Sequence, residues 1–309
     1  MENVIIAENL VKEYNGLRAV AGIDFAVRAR ECFGLLGPNG AGKTSTVRMI
    51  YAFSPVTAGK LTVLGMDVRT RPREIKRRLG VVPQENNLDP DLKVLDNLLV
   101  YAGFFGLPRA LAAAKARELL AFFGLEGKAG VKVDKLSGGM KRRLIIARAL
   151  INDPAIVILD EPTTGLDPQA RHLVWQKLRR LKERGVTLVL TTHYLDEAAQ
   201  LCDRLVIMDR GRILEEGAPA EMVSRHIGAE VLELGLGGRD PAPVAAALES
   251  LVRGYKVVGE NLVLYPHEGK VLLNAVQALP WRFGHQLLRP ATLEDVFLKL
   301  TGRGLSDDF

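Results

Sequence analysis

No stretch of this 309-residue chain approaches the ~18 consecutive apolar residues that a membrane-crossing helix needs. The greasiest runs, Ala155 to Leu159 and Leu98 to Gly106, are short or broken. Met1 to Leu10 carries acids and Asn and does not read as a basic start, an apolar run and a cleavage site, so export of the chain is not expected. There are only two cysteines, Cys32 and Cys202, far apart in sequence and in no spacing that reads as a metal site or redox pair. They are expected to be small core or near-surface residues in a reducing compartment. Internal repeats and low-complexity tracts are absent too, which excludes solenoids and long disordered linkers.

What is present is ordinary for a globular protein: 48% hydrophobic and 25% charged residues, in a length that suits about two domains. The net charge of +6 permits an anionic partner and requires none. The densest basic stretch is Arg69, Arg71, Arg73, Lys76, Arg77 and Arg78, interrupted by Pro72 and Glu74. It reads as the solvated start of a helix, with proximity to lipid headgroups as the sharper alternative.

Runs rich in Val, Ile and Leu alternate with longer helical patterns, which predicts a parallel sheet covered by helices. Strands are expected at Val4 to Leu10, Asp24 to Val27 and Glu31 to Leu36, the last feeding the turn Gly37 to Gly42 and a helix from Lys43 to about Tyr51. Ala155 to Leu159, Val186 to Thr192 and Leu205 to Met208 have the unbroken apolar character of strands buried on both faces. Between about 85 and 152 the texture turns helical, with helices predicted at Leu92 to Phe105, Leu111 to Phe123 and Gly139 to Leu150. After about Ser224 it shifts again. The order strand, helix, strand, strand, helix, strand over Glu230 to Leu288 suggests a small ferredoxin-like α+β domain. Thr292 and Asp295 make a capping box for a last helix ending near Thr301. The domains are thus expected at 1–224, with the helical insert at about 85–152, and at 225–309.

The segment Gly37-Pro38-Asn39-Gly40-Ala41-Gly42-Lys43-Thr44 fits G-x-x-x-x-G-K-[ST], between a predicted strand and a predicted helix. A phosphate chain needs several backbone N–H groups pointing inward. Glycines clear that space, and the helix N-terminus adds the positive end of its dipole. Lys43 supplies a mobile cation, the Thr44 hydroxyl can ligate magnesium, and Ser45 follows in the first turn. At the end of a buried strand, Asp160 and Glu161 stand where ligands gather in open parallel sheets. Asp160 can hold magnesium and Glu161 can polarise an attacking water; taken alone, the pair could equally be two solvated acids. Ser137-Gly138-Gly139 opens a helix, with Ser137 as its cap and backbone N–H groups left accessible to an anion. Alone, that tripeptide is simply a helix-starting turn. Gln84 and His193 each follow a strand, which by itself marks only a polar residue at a strand end.

Taken in order, these segments resemble the ABC ATPase family. Walker A (Gly37 to Thr44), Gln84, the signature (Leu136 to Met140), Walker B (Ile156 to Glu161), the D-loop (Gly165-Leu166-Asp167) and His193 stand in the family's sequence over residues 1 to about 224. The resemblance implies a P-loop ABC ATPase core, that is, a RecA-like parallel sheet plus an antiparallel β subdomain, with a helical insert. It implies ATP and Mg2+ as ligands, Tyr14 stacking on the adenine ring, and magnesium arranged by Thr44, Gln84 and Asp160. Glu161 would be the base, His193 would keep the γ-phosphate and Glu161 region in register, and Asp167 would link two sites across a dimer. Nucleotide on Gly37, Asn39, Gly40, Ala41, Gly42, Lys43, Thr44 and Ser45 of one copy would be capped by Ser137, Gly138 and Gly139 of another.

The signature ends in Met140 where many members carry Gln. With Lys141-Arg142-Arg143 it is similar to the branch serving type-2 exporters, which includes nodulation-factor and daunorubicin-resistance ATPases, and the tail Pro290 to Phe297 resembles that branch as well. The resemblance therefore implies the ATPase subunit of an exporter. It would work as a homodimer on a separate integral membrane permease, peripheral at the cytoplasmic face, with a lipo-oligosaccharide, lipid, polysaccharide or drug-like cargo and no nucleic acid. The rivals are a soluble ABC ATPase acting on ribosome or DNA, an importer ATPase and a metabolic phosphate-loop kinase. Against the first, Lys43 and Ser137 are separated by a short insert without sustained heptads, and the chain carries a single motif set. Against the last stands the signature itself.

Overall fold

The structure, a computed structural model, describes residues 2–302 and divides into two compact units, 2–216 and 217–302. The division falls slightly upstream of the change in texture near Ser224, which lies inside a helix, Pro219–His226.

In the first unit, β1 (Asn3–Tyr14) and β2 (Leu17–Arg28) form a long antiparallel ribbon. β3 (Cys32–Leu36) then leads into α1 (Lys43–Ile50). Next come β4 (Ala58–Val63), β5 (Met66–Asp67), α2 (Pro72–Arg77) and β6 (Leu79–Val82). The helical insert holds α3 (Val94–Phe104), α4 (Arg109–Phe122) and α5 (Gly138–Ala149). The chain returns as β7 (Ile156–Asp160), α6 (Pro168–Glu183), β8 (Thr187–Thr192), α7 (Leu195–Leu201), β9 (Arg204–Asp209) and β10 (Arg212–Gly217). The order β2-β1-β4-β5 makes one four-stranded antiparallel sheet. The order β10-β9-β3-β8-β7-β6 makes a six-stranded sheet whose β9, β3, β8, β7 and β6 run parallel.

β3, β7 and β8 are buried at every position, which is why they read as continuous apolar runs and not as alternating ones. Phe33 and Leu35 of β3 join Val47, Met49 and Ile50 of α1 and Ile5 and Leu10 of β1 in one core between the two sheets. Each large aliphatic side chain buried there contributes about 1.5–3 kcal/mol. The basic stretch does open a helix, α2, with Arg71 paired to Glu74 in solvent. Cys32 and Cys202, remote in sequence, pack together as free buried thiols. A hydrogen bond shared with Cys32, and then burial, push the Cys202 thiol well above its usual range, so it is unreactive at neutral pH. Among the described residues no helix is long and apolar enough to cross a membrane.

The second unit begins with α8 (Pro219–His226) and continues through β11 (Glu230–Gly235), α9 (Pro241–Leu248), β12 (Val252–Val258), β13 (Asn261–Pro266), α10 (Gly269–Gln277), β14 (Gln286–Pro290) and α11 (Leu293–Thr301). Its sheet, in the order β12-β13-β11-β14, is antiparallel throughout, and the βαββαβ order is that of the ferredoxin-like arrangement. Leu232, Leu234, Leu262 and Leu264 of the sheet pack against Val244 and Leu248 of α9 and Leu272 and Val276 of α10.

Candidate active site

α1 starts directly behind β3, so the loop from Gly37 to Gly42 turns over the carboxyl edge of the parallel sheet. Gly42 caps α1 at φ +100, a conformation that favours glycine, and a Cβ there would stand 2.4 Å from the Ala19 carbonyl oxygen. No side chain caps this helix and its first turn holds no acid, so the N–H groups and dipole end of α1 face the loop unopposed. Lys43 is 4% exposed, and its Nζ donates to the carbonyls of Gly37 (2.7 Å) and Pro38 (2.9 Å). Burial lowers its pKa, although Glu161 and Asp160 both favour its charge.

Behind the loop, Thr44 Oγ1 donates to Asp160 Oδ1 at 3.0 Å, and Thr191 Oγ1 donates to the same oxygen at 2.5 Å. Glu161 takes a left-handed backbone, φ +47, which turns its side chain back over the sheet edge; its N–H donates to the Thr191 carbonyl and hydroxyl. Its Oε2 accepts from Gln84 Nε2 and from Thr164 Oγ1, each at 3.1 Å. His193 Nδ1 lies 3.2 Å from Glu161 Oε1, outside hydrogen-bond geometry. Burial alone would raise the Glu161 pKa; His193, Lys43 and Thr164 outweigh it and hold the group below the usual carboxylate value, so it is ionised at neutral pH.

A groove of about 650 Å³ lies over the loop, lined by Asn39, Gly40, Ala41, Gly42, Lys43, Thr44 and Ser45, together with Gln84 and Glu161. Tyr14 and Arg18 line it as well. The Tyr14 ring, 40% exposed, has Lys12 Nζ 4.5 Å from its centroid and its hydroxyl 3.2 Å from Ser54 Oγ. The fold thus gathers the phosphate loop, Tyr14, Gln84, Asp160, Glu161 and His193. Ser137, Gly138, Gly139 and Asp167 do not line the groove. Ser137 caps α5 by accepting from Met140 N, Asp167 caps α6 by accepting from Ala170 N, and Ser137, Gly138 and Asp167 are exposed.

Three further residues contribute that none of the sequence motifs marks. Thr191 and Thr164 both bond the acidic pair; each stood in a segment already singled out, at a strand end or next to the D-loop. Arg142 is buried beneath the pair and hydrogen-bonds four backbone carbonyls around it. A basic run after the signature gives no hint that one of its members points inward.

A nucleotide-phosphate loop at the edge of a parallel sheet, with an acidic pair beside it and a helix-capping Ser-Gly-Gly segment elsewhere on the same unit, defines the ATP-binding subunits of ABC transporters. Residues 20–164 match the family model described as ABC transporter, and residues 242–302 match the C-terminal domain of the nodulation factor export protein NodI. The Nod factor export ATP-binding protein I of Burkholderia orbicola is 47% identical over 300 residues, covering 97% of each chain. That of Mesorhizobium japonicum is 46% identical over 299 residues, 96% of this chain and 86% of that protein. Among solved structures, cbiO1 from Clostridium perfringens, part of the ABC transporter complex cbiONQ, superposes with a TM-score of 0.67 at 27% identity, over 72% of this chain and 90% of that one. A dimeric post-hydrolysis state of the ATP-binding cassette MJ0796, bound to ADP and Pi, gives 0.64 at 28%, over 69% and 98%. The chain belongs to the family of Nod factor export ATP-binding protein I, and it is an ABC-type ATPase subunit that powers an exporter.

Proposed function

We propose that residues 2–216 are a nucleotide-binding domain that takes Mg-ATP in the groove over the phosphate loop, closes on a second copy of the chain, and hydrolyses ATP to drive a separate integral membrane permease. Residues 217–302 are then an accessory domain. The observation that carries this is the hydrogen-bonded chain Thr44–Asp160–Thr191–Glu161–Gln84, which begins at the residue next to Lys43.

In this reading Lys43 and the N–H groups of Gly40 to Ser45 hold the β- and γ-phosphates, and the Tyr14 ring takes the adenine. Thr44, Asp160 and the Gln84 amide offer only oxygen ligands, and no cluster of three or more metal-binding acids, His or Cys exists among the described residues. Such a set suits magnesium, which takes one or two protein oxygens and completes its shell with phosphate and water. Bound there, magnesium would neutralise phosphate charge. Glu161, held ionised and aimed by Gln84 and Thr164, orients a water and takes its proton. His193, 3.2 Å from Glu161, keeps that carboxylate in register with the γ-phosphate.

A second copy is required in this reading because the Ser137-Gly138-Gly139 segment does not line the groove of its own chain. Gly138 has an ordinary backbone and nothing within 4 Å of where a Cβ would stand, so nothing in its own chain demands glycine. A ligand that must approach the N-terminus of α5 from outside does. With Ser137 and Gly139 N–H each contacting a γ-phosphate across a two-fold axis, two charge-assisted bonds per site at about 1.5–3 kcal/mol apiece give a gross of about 6–12 kcal/mol over both sites. Ordering costs reduce this figure. The remainder holds the dimer closed while the γ-phosphate persists and releases it afterwards.

Permease docking is supported by an aromatic groove of about 280 Å³ formed by Tyr51, Leu79, Val81, Tyr101, Phe104 and Phe105, with Lys76 and Arg77 at its rim. A cytoplasmic permease helix seated there would place the subunit peripherally at the cytoplasmic membrane face. Since the relatives are named for Nod factor export, the cargo favoured here is a lipo-oligosaccharide, ahead of other lipids, polysaccharides or drug-like molecules.

Glu161→Gln is expected to lower turnover at least 100-fold while ATP-bound dimer accumulates, read by phosphate release and by size-exclusion chromatography with Mg-ATP. Near-normal turnover would refute the assigned base. Lys43→Ala is expected to lose nucleotide binding, and unchanged binding would count against the phosphate-loop role.

A further inference from the structure

Arg142 sits on the second turn of α5, five residues after the helix-capping Ser137, and is 8% exposed. Among the described residues its guanidinium forms no ion pair with a carboxylate. Nε donates to the Pro162 carbonyl at 2.6 Å, Nη1 to Pro83 at 2.6 Å, and Nη2 to both Asp160 at 3.0 Å and Glu161 at 2.9 Å. Four carbonyls from two strand ends therefore meet on one planar fork. Pro83 immediately precedes Gln84; Asp160, Glu161 and Pro162 span the left-handed turn at Glu161. A left-handed backbone costs a non-glycine residue about 1–2 kcal/mol and persists only where its surroundings over-determine it. The Glu161 N–H is fixed by Thr191, and its carbonyl is fixed by Arg142.

We infer that Arg142 is a positioning residue for hydrolysis: it locks the Glu161 turn and the Gln84 strand end in register, and ties both to the helix that Ser137 begins. The inference rests on the reading of Glu161 and Ser137 given above and goes beyond it by naming the physical link between them. Any shift of α5 that follows engagement of Ser137 with the other copy's nucleotide is passed through the fork to the backbone of Glu161. Burial pushes the Arg142 pKa down to about 10, which still leaves it charged at neutral pH. Lysine cannot substitute, because its three donors radiate from one point and cannot span the four carbonyls.

The test uses the full chain with Mg-ATP and the variants Arg142→Gln and Arg142→Lys. Expected for Arg142→Gln is a fall in kcat of at least 10-fold, with KM and the Kd for a fluorescent ATP analogue within about 3-fold of the unaltered chain, because the phosphate loop is untouched. Arg142→Lys should recover only part of the loss. Combining Ser137→Ala with Arg142→Gln should cost less than the product of the two single effects, because both act on one linkage. A folded Arg142→Gln chain with unchanged kcat overturns the inference, and so does full activity in Arg142→Lys. Loss of ATP binding together with kcat, or failure of both variants to fold, makes Arg142 a structural residue and also overturns it. If the unaltered chain hydrolyses ATP and Glu161→Gln does not, these failures leave the proposed function standing; an unaltered chain that never hydrolyses ATP overturns both.

Discussion

At the residue scale, Glu197 is a carboxylate outside the groove that is completely buried at the third position of α7. Its Oε1 accepts from Thr163 Oγ1 at 2.7 Å and Trp175 Nε1 at 3.0 Å, while Oε2 has no hydrogen-bond partner among the described residues. Burial raises its pKa against the pull of Thr163, Thr192 and Trp175. Because the folded value lies above the unfolded value near 4.3, its contribution to stability is complete below that pH. The contribution is lost as pH rises through the folded value. Glu197→Gln keeps the Oε1 acceptor and removes the charge, so it should be at least as stable as the unaltered chain at pH 8. Its advantage should shrink at pH 5. Glu197→Ala strips both donors of their acceptor and should cost about 2–3 kcal/mol at either pH. Urea unfolding at the two pH values decides: if Gln is as damaging as Ala, the charge argument fails.

At the element scale, legibility followed how far each segment's state is set by its own residues. β3, β7 and β8 were readable because strands buried on both faces are apolar throughout. β4 was not: Ala-Gly-Lys-Leu-Thr-Val has little pattern of its own, and its state comes from pairing with β1, including the positive-φ bend at Gly59. β1 runs beyond Leu10 to Tyr14 because register shifts carry the ribbon past Asn9 at φ +47. α6 is not among the predicted helices although Asp167 as cap and Pro168 in the first turn announce it; Asp167 is read there only as the end of the D-loop. The groove side of the candidate site was legible because one strand–loop–helix unit builds most of it. Arg142 was not, since inward direction on a helix depends on what packs below it. The box at Thr292 and Asp295 needs only local spacing and was read directly, yet Arg289, which donates to both Asp295 oxygens at 2.8 Å, lies upstream of it. Burial alone would raise the Asp295 pKa; Arg289 and Thr292 reverse this and leave it lowered. That contribution is therefore present above an unfolded pKa near 3.9 and lost as pH falls through the folded value. Asp295→Ala should destabilise the 217–302 unit by about 1–3 kcal/mol, because it removes the capping-box acceptor and leaves the half-buried Arg289 with Glu233 as its remaining carboxylate. Hydrogen exchange on the full chain should register faster opening in β11, β14 and α11, and unchanged protection there would contradict the assignment.

At the scale of the whole molecule, the decisive arrangement is that the groove and the Ser137 helix end are separate features of one chain. A site assembled from two chains makes a prediction that a site complete within one chain cannot. Lys43→Ala damages the groove and leaves the helix end intact. Gly138→Asp does the reverse: open space around Gly138 lets its own chain fold, while a carboxylate repels the phosphate that must approach. Each variant alone forms dimers in which both sites are defective. Mixed one to one, half the dimers pair unlike chains, and each of these holds one site built wholly from intact parts. About a quarter of all sites are then complete, from the two-fold geometry alone. ATP occlusion by the mixture should accordingly rise well above either variant and approach about a quarter of the unaltered level. A mixture that only averages its two components would show that groove and helix end do not meet across two chains.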